Sequence, residues 1–467
     1  MTQLGTESNP LRVAIVGAGP AGFYAAERLF KEKDLVVQVD MFDRLPTPFG
    51  LVRAGVAPDH QKIKSVTKVF DRVASTPGFR FFGNVELGKD LSVADLEDHY
   101  HQIVYTTGAQ TDRHLNIPGI DLNGSHAATT FVAWYNGHPD YRDLEFDLST
   151  ESAAVIGIGN VAVDVARILA QAPDELATTD IADYALEALR ASNVKDVYIL
   201  GRRGPAQGKF TSPELKELGE LPQTDLVVLP EEAELDNLSQ ASLASADRGT
   251  LRQVELIQGF AHREREDKPR RLHLRFLVSP TELIGDGDGN VKAMRLVRNE
   301  LYATSAGSLR PRSTGDEEVI DVGLVFRAVG YRGVPLPGVP FNDDWGVILN
   351  VAGRVVDAET HEPVVGHYTA GWIKRGPSGV IGTNKPDAAE TVEVMVADMY
   401  EGRVLRPSHP GAEAVEAMIR QKQPDYFSYE DWAQLDKLEI ERGKAVGRPR
   451  LKFTRVEDMM EAKKTWH

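Results

Sequence analysis

The chain has 467 residues, no cysteine and a formal net charge of −16. That length exceeds one core and predicts two to three domains, while 42% hydrophobic and 26% charged residues are ordinary for a soluble globular chain. Disulfides, thiolate metal sites and cysteine-ligated iron–sulfur clusters are excluded, and the acidity argues against nucleic acid or an anionic membrane as the main partner.

Residues 1–10 are polar and lack both the basic end and apolar core of a signal peptide and the Arg-rich face of a transit peptide, so a cytoplasmic location is expected. No segment approaches 18 uninterrupted apolar residues. The first element is a strand, Leu11-Arg-Val-Ala-Ile-Val16, running into Gly17-Ala-Gly19-Pro-Ala-Gly22 and a helix pattern from Ala21 to Phe30. A second strand, Val36 to Phe42, ends on Asp43. This is the spacing of a dinucleotide-binding unit: the diphosphate sits at the helix N-terminus and the acid accepts hydrogen bonds from a ribose 2′-OH. The nucleotide predicted there is FAD or NAD.

Leu45-Pro-Thr-Pro-Phe-Gly50 reads as a turn-rich loop, and Lys62 to Ala74 as an amphipathic helix. Val104-Tyr-Thr-Thr-Gly108 is a buried strand whose pattern recurs as Leu324-Val-Phe-Arg-Ala-Val-Gly330. Such ends mark crossings between two nucleotide domains. Between them lies a second fingerprint, Ala153-Ala-Val-Ile156 into Gly157-Ile-Gly159-Asn160-Val161-Ala162. Its third glycine is Ala162, which the pattern tolerates. Its second strand, Val197-Tyr-Ile-Leu200, ends on Gly201-Arg202-Arg203-Gly204, after an insertion over roughly Ala172 to Ser192. Arginines at that position clasp a 2′-phosphate, so NADP(H) is expected. The alternative for Arg202 and Arg203 is a solvated pair. Residues 232–250 show no clear period and read as a variable surface segment.

The predicted fold class is α/β, two Rossmann-like dinucleotide-binding domains with the NADP domain inserted into the FAD domain. The boundaries expected are 1–112 plus 333–467 for FAD and 113–332 for NADP.

Longer motifs carry a resemblance. Val16-Gly-Ala-Gly-Pro-Ala-Gly-Phe-Tyr24, Pro46-Thr-Pro-Phe-Gly-Leu-Val-Arg-Ala-Gly-Val-Ala-Pro-Asp-His60, Gly159-Asn-Val-Ala-Val-Asp-Val-Ala-Arg-Ile168, Gly201-Arg-Arg-Gly-Pro205 and Gly371-Trp-Ile-Lys-Arg-Gly-Pro-Ser-Gly-Val-Ile381 resemble, in order, the adrenodoxin reductase-type ferredoxin–NADP⁺ reductases in their bacterial form. Phe427-Ser-Tyr-Glu-Asp-Trp432 to Pro449 extends the likeness to nearly the whole chain. For FAD the resemblance implies Ala21 at the diphosphate, Asp43 at the ribose, Leu51 and Leu87 along the cofactor, and Trp372 with Gly379, Val380 and Ile381 at the flavin end. Many relatives carry Glu where this chain has Asp43. For NADP it implies Gly159, Asn160, Val161, Ala162, Arg202, Arg203, Glu214 and Gly379.

The implied chemistry is direct hydride transfer from NADPH to flavin, followed by single electrons to an iron–sulfur ferredoxin that feeds partners such as monooxygenases. No strong general base is required. Titratable groups near the ring can tune flavin protonation, and His60, Asp164 and Glu217 are the candidates; as alternatives, His60 is a structural loop residue and Glu217 an ordinary surface acid. No metal is expected. Lys374 and Arg375, with Lys209 and Lys216, are the local basic supply for docking an acidic ferredoxin. Two other readings stand: an NADPH-dependent reductase of small quinones or dyes, and a non-catalytic NADP(H) sensor. Relay through a cysteine pair, as in thioredoxin reductases, is impossible here.

Overall fold

A computed structural model describes residues 3–466. The chain forms two compact units. Unit 1 takes in the residues up to Thr111, Asn136–Pro139, and those from Tyr331 onward; unit 2 is Asp112–Tyr135 with Asp140–Gly330. Unit 2 thus interrupts unit 1 in the chain. Residues 136–139, which the sequence reading leaves inside the insertion, cluster with unit 1.

Unit 1 is built on a seven-stranded sheet in the order Phe79–Phe82, Val37–Phe42, Leu11–Val16, Gln102–Tyr105, Pro363–Thr369, Arg354–Val356, Asn350–Val351. The first five strands run parallel; Arg354–Val356 pairs antiparallel with Pro363–Thr369, and Asn350–Val351 pairs antiparallel with Arg354–Val356. Leu11–Val16 is buried at every position, because a parallel strand covered on both faces has no polar side to show. Helices Pro20–Phe30 and Asn384–Tyr400 pack on one another over this sheet. Leu11–Val16 lies between Val37–Phe42 and Gln102–Tyr105, where the winding reverses; in open α/β sheets ligands bind at that point, beyond the strand C-termini.

Unit 2 repeats the plan. Its six parallel strands are ordered Ser125–Ala127, Leu324–Arg327, Ser152–Ile156, Asp196–Gly201, Arg270–Phe276, Thr224–Val227. Ser152–Ile156 holds the reversal point. A separate antiparallel meander, Val278–Gly285, Val291–Ala303 and Leu309–Asp321, completes the unit.

One local expectation changes, and two segments gain a fold the sequence did not specify. Lys62 to Ala74 is two helices, Gln61–Lys64 and Thr67–Ala74. The break falls where the Ser65 hydroxyl donates to the Lys62 carbonyl, a local bond that competes with the helix ladder. Residues 232–250 are mostly exposed and carry helices that the sequence did not show: Asn237–Leu243 and the start of Arg248–Ala261 are capped by Asp236 and Asp247, whose carboxylates accept from N–H groups of the first turn. The insertion after the second fingerprint folds as Pro173–Leu176 and Asp183–Arg190, with Leu176, Leu186 and Leu189 in the unit 2 core. No helix among the described residues is long and apolar enough to cross a membrane.

Candidate functional site

The two fingerprint turns share one geometry. Gly17 has φ +112 and Gly157 φ +132, conformations that L side chains rarely adopt. A Cβ on Gly17 would lie 2.7 Å from the Thr106 carbonyl, and one on Gly157 would overlap the Ala328 carbonyl. Each turn is therefore walled by the strand end that the sequence repeats, Thr106 and Thr107 in unit 1 and Ala328 in unit 2. Gly19 and Gly159, by contrast, have nothing within 4 Å of where a Cβ would sit. Both are helix N-caps without a side-chain cap, which leaves the N–H groups of Ala21 and Gly22, and of Asn160, Val161 and Ala162, without an intrahelical or capping partner. That cradle fits a diphosphate: no Cβ in the way, unpaired donors, and the positive end of a helix dipole.

The charges beyond the turns are opposite. Asp43 follows Val37–Phe42, and its two carboxylate oxygens accept the Ala18 N–H at 2.8 Å and the Leu45 N–H at 3.0 Å. Burial pushes its pKa up, against the pull of those two N–H bonds. Each oxygen keeps a lone pair for a ribose hydroxyl. In unit 2, Arg202 is exposed and Arg203 half-buried at the end of Asp196–Gly201. Burial first, and then the Arg202 charge, pull the Arg203 pKa down. Asn160 is half-buried, and its Oδ1 accepts the Thr211 N–H at 3.1 Å; Lys209 N–H donates to Ile158 O at 2.8 Å. The 208–211 segment is thereby docked beside the Gly159 cradle. Val161 is half-buried and Ala162 fully buried, where the third glycine would stand.

In unit 1 the strand Pro363–Thr369 leads to Gly371, at φ +83, whose N–H is held by Asp387. A Cβ on Gly371 would lie 2.6 Å from that of Ala21, so this strand end abuts the first turn of the fingerprint helix. Trp372, half-buried, meets the Tyr331 ring at 5.4 Å and donates from Nε1 to Ser378 O at 3.1 Å. Gly379 and Val380 are exposed and Ile381 half-buried. Leu51 opens the short helix Leu51–Ala54 and Leu87 borders the Phe82 cluster, both half-buried.

The proposed tuning groups fall in different units. His60 caps the short helix Gln61–Lys64 in unit 1. Asp164 and Glu217 are brought together in unit 2 by Arg167, whose side chain is 2% exposed: Asp164 is 2.8 Å and Glu217 3.9 Å from its guanidinium. Glu214 accepts the Thr211 N–H and hydroxyl in a capping box, so it has a structural duty at that helix start.

One expectation is corrected. Lys374 is no surface docking residue: it is 9% exposed, and its Nζ reaches Glu390 at 2.7 Å, Asp387 at 3.2 Å and the Thr391 hydroxyl at 3.2 Å. Arg375 likewise bonds Ser378, Thr383 and Asn384, bracing the loop after Trp372. Lysine and arginine in a glycine-rich loop read as solvated from sequence; here Asp387 and Glu390 on the following helix draw them inward.

Residues that sequence reasoning missed line a shallow cleft beside Asp43: Asn136–Pro139, Phe453 and Met459, with Thr47, Gly50 and Arg53. Arg53 is held in a bidentate pair by the buried Glu439, and Lys452 Nζ bonds the Asn136 carbonyl at 3.0 Å. These segments are remote in sequence and carry no motif, so only the fold assembles them.

Comparison with known proteins agrees with this geometry. The pyridine nucleotide-disulphide oxidoreductase family model matches residues 11–201, although a chain without cysteine cannot perform the disulfide chemistry of that name. NADPH-ferredoxin reductase FprA of Mycobacterium tuberculosis is 45% identical over 460 residues, covering 97% of this chain and 98% of that one. The mitochondrial NADPH:adrenodoxin oxidoreductase of Arabidopsis thaliana is 41% identical, covering 97% and 96%. The solved structure of M. tuberculosis FprA in complex with NADPH superposes with a TM-score of 0.91 at 44% identity, covering 98% of this chain and all of that one. With two opposite nucleotide turns in one chain and relatives this similar over its whole length, the protein belongs to the NADPH–ferredoxin reductase family of oxidoreductases.

Proposed function

We propose that this chain is an FAD-dependent NADPH:ferredoxin oxidoreductase of the cytoplasm, passing electrons from NADPH to an iron–sulfur ferredoxin that feeds acceptors such as monooxygenases. The observation that carries the reading is the pair of fingerprint turns, one followed by a carboxylate and the other by two arginines. Unit 1 is the FAD unit in this reading. Gly17, Gly19 and Ala21 would take the diphosphate, Asp43 the ribose, and Leu51 and Leu87 the length of the cofactor. Trp372 with Gly379 to Ile381 would meet the flavin end.

Unit 2 is the NADPH unit, with Gly159 to Ala162 at the diphosphate, Arg202 and Arg203 at the 2′-phosphate, and Glu214 fixing the helix beside them. FAD, when bound, supplies a ring that accepts a hydride and can give up its electrons one at a time. The chain's own residues bind and orient. The open cradles at Gly19 and Gly159 set the two diphosphates, and Arg167 holds Asp164 and Glu217 in fixed positions. His60, Asp164 and Glu217 are the groups that would exchange protons near the ring.

The test is steady-state. Purified protein is assayed with NADPH against an iron–sulfur ferredoxin and against a small quinone. Protein that carries bound FAD and reduces the ferredoxin with the higher kcat/KM supports the reading. Quinone reduction alone would shift it to a small-acceptor reductase, and a flavin that NADPH cannot reduce would overturn it.

A further inference from the structure

In unit 2 the paired arginines are held by their backbones, and the meander is what holds them. The Arg203 carbonyl accepts the Leu277 N–H at 3.2 Å. The Arg202 carbonyl accepts Asn299 Nδ2 at 3.1 Å, and the same nitrogen donates to the Ser279 hydroxyl at 2.8 Å. Asn299 N–H closes the frame on the Leu277 carbonyl at 2.7 Å. Leu277 sits at φ +53, a left-handed conformation unusual for a side chain of its kind. Asn299 follows a register break after Val297, and such bulges re-aim the residues beside them.

Asn299 is only 6% exposed, and its neighbours Leu296, Val297 and Leu301 are buried apolar residues. An apolar side chain would fill that position at less desolvation cost. The amide instead supplies two donors, and one satisfies a carbonyl that stands beyond the end of the Asp196–Gly201 strand. The guanidiniums of Arg202 and Arg203, meanwhile, have no hydrogen-bond or ion-pair partner among the described residues. The frame therefore fixes where these side chains start while leaving their ends open.

We infer that Asn299 is the positioning residue for cofactor choice: its bond to the Arg202 carbonyl sets the direction from which Arg202 and Arg203 converge on a 2′-phosphate. Two guanidiniums on one phosphate demand a shared geometry, and loss of the anchor lets their backbone shift out of it. This rests on the reading that the arginines take that phosphate.

The experiment compares Asn299→Ala and Asn299→Asp with Arg202→Ala/Arg203→Ala and with the triple variant. Asn299→Asp keeps the volume but sets an acceptor against a carbonyl. Calorimetry measures binding of adenosine 2′,5′-bisphosphate and adenosine 5′-monophosphate, kinetics measure KM for NADPH and NADH, and melting curves establish folding. Loss of one anchoring hydrogen bond should weaken the bisphosphate and raise the NADPH KM by about tenfold. The monophosphate, the NADH KM and kcat should stay as in wild type. Asn299→Ala should add nothing once both arginines are gone. Equal losses for phosphorylated and unphosphorylated ligands, additivity in the triple variant, or failure of both Asn299 variants to fold would each make Asn299 a residue of the fold and overturn the proposal. If the double arginine variant itself keeps the preference for the bisphosphate, the underlying assignment falls whatever Asn299 does.

Discussion

The two fingerprint turns have the same backbone and opposite ways of holding charge. In unit 1 the charged head is tied down: Asp43 spends an oxygen on each of two backbone N–H groups, one of them inside the glycine turn itself. In unit 2 the charged heads are loose and their backbones are tied, through the Arg202 and Arg203 carbonyls. A carboxylate that recognises a neutral hydroxyl can share its lone pairs between fold and ligand. Guanidiniums that no protein carboxylate holds keep all their donors for a dianion.

The largest effect follows for the loose heads. Arg202→Ala with Arg203→Ala removes two charge-assisted contacts of roughly 1.5–3 kcal/mol each, so the NADPH KM should rise by about a hundredfold or more while that for NADH barely moves. The melting temperature should stay put, because no protein partner is lost. Parallel losses with both cofactors would erase the contrast between the turns.

Buried, paired heads should behave in the reverse way. Lys374→Met removes one of the partners of the buried Asp387, leaving it the Gly371 N–H and Arg375, at about 3 kcal/mol of stability. Ferredoxin reduction by the surviving folded protein should keep its wild-type salt dependence, because Lys374 is not at the surface. A stable variant that selectively loses the salt-sensitive ferredoxin rate would restore Lys374 as a docking residue.

Glu439 extends the test to pH. Burial raises its pKa, but Arg53 and Arg450 outweigh that and hold it below the ordinary carboxylate range. A carboxylate with a depressed folded pKa contributes stability that is present above its unfolded pKa and lost as pH falls through the folded one. The wild-type melting temperature should therefore decline in acid below the usual carboxylate range. Glu439→Gln should be less stable at neutral pH by about 3 kcal/mol and lack that part of the acid decline. An unchanged acid profile in the variant would remove Glu439 from the account.

The smallest effect belongs to the shared head. Asp43→Asn keeps one acceptor and loses the charge, so FAD retention should fall by about 1–2 kcal/mol, read as flavin released on dialysis. The raised pKa of Asp43 adds a sign: wild-type retention should weaken as pH falls toward the ordinary carboxylate range from above, and the Asn variant should show no such trend. Full retention in the variant would leave the ribose to another group.

Much of this was legible in the chain. Both cradles, Asp43, the arginine pair and the recurring strand ends are local patterns whose physics repeats wherever they occur. The helices within the surface segment 232–250 were not legible because they are specified by single caps, Asp236 and Asp247, rather than by a hydrophobic period. Lys374 was misread because its partners lie on the next helix. The cleft wall at Asn136–Pro139 and Phe453, and the Asn299 anchor, join positions that no local pattern relates.

The central claim is that one chain holds two nucleotides and tells them apart by charge. It is tested most directly by anaerobic titration of the purified, flavin-loaded protein, first with NADPH and then with NADH, followed by flavin absorbance. Bleaching is expected near one equivalent of NADPH, with NADH requiring at least about a hundredfold more for the same change, in line with the contacts assigned to Arg202 and Arg203. Equal bleaching by the two, or none by either, would contradict it.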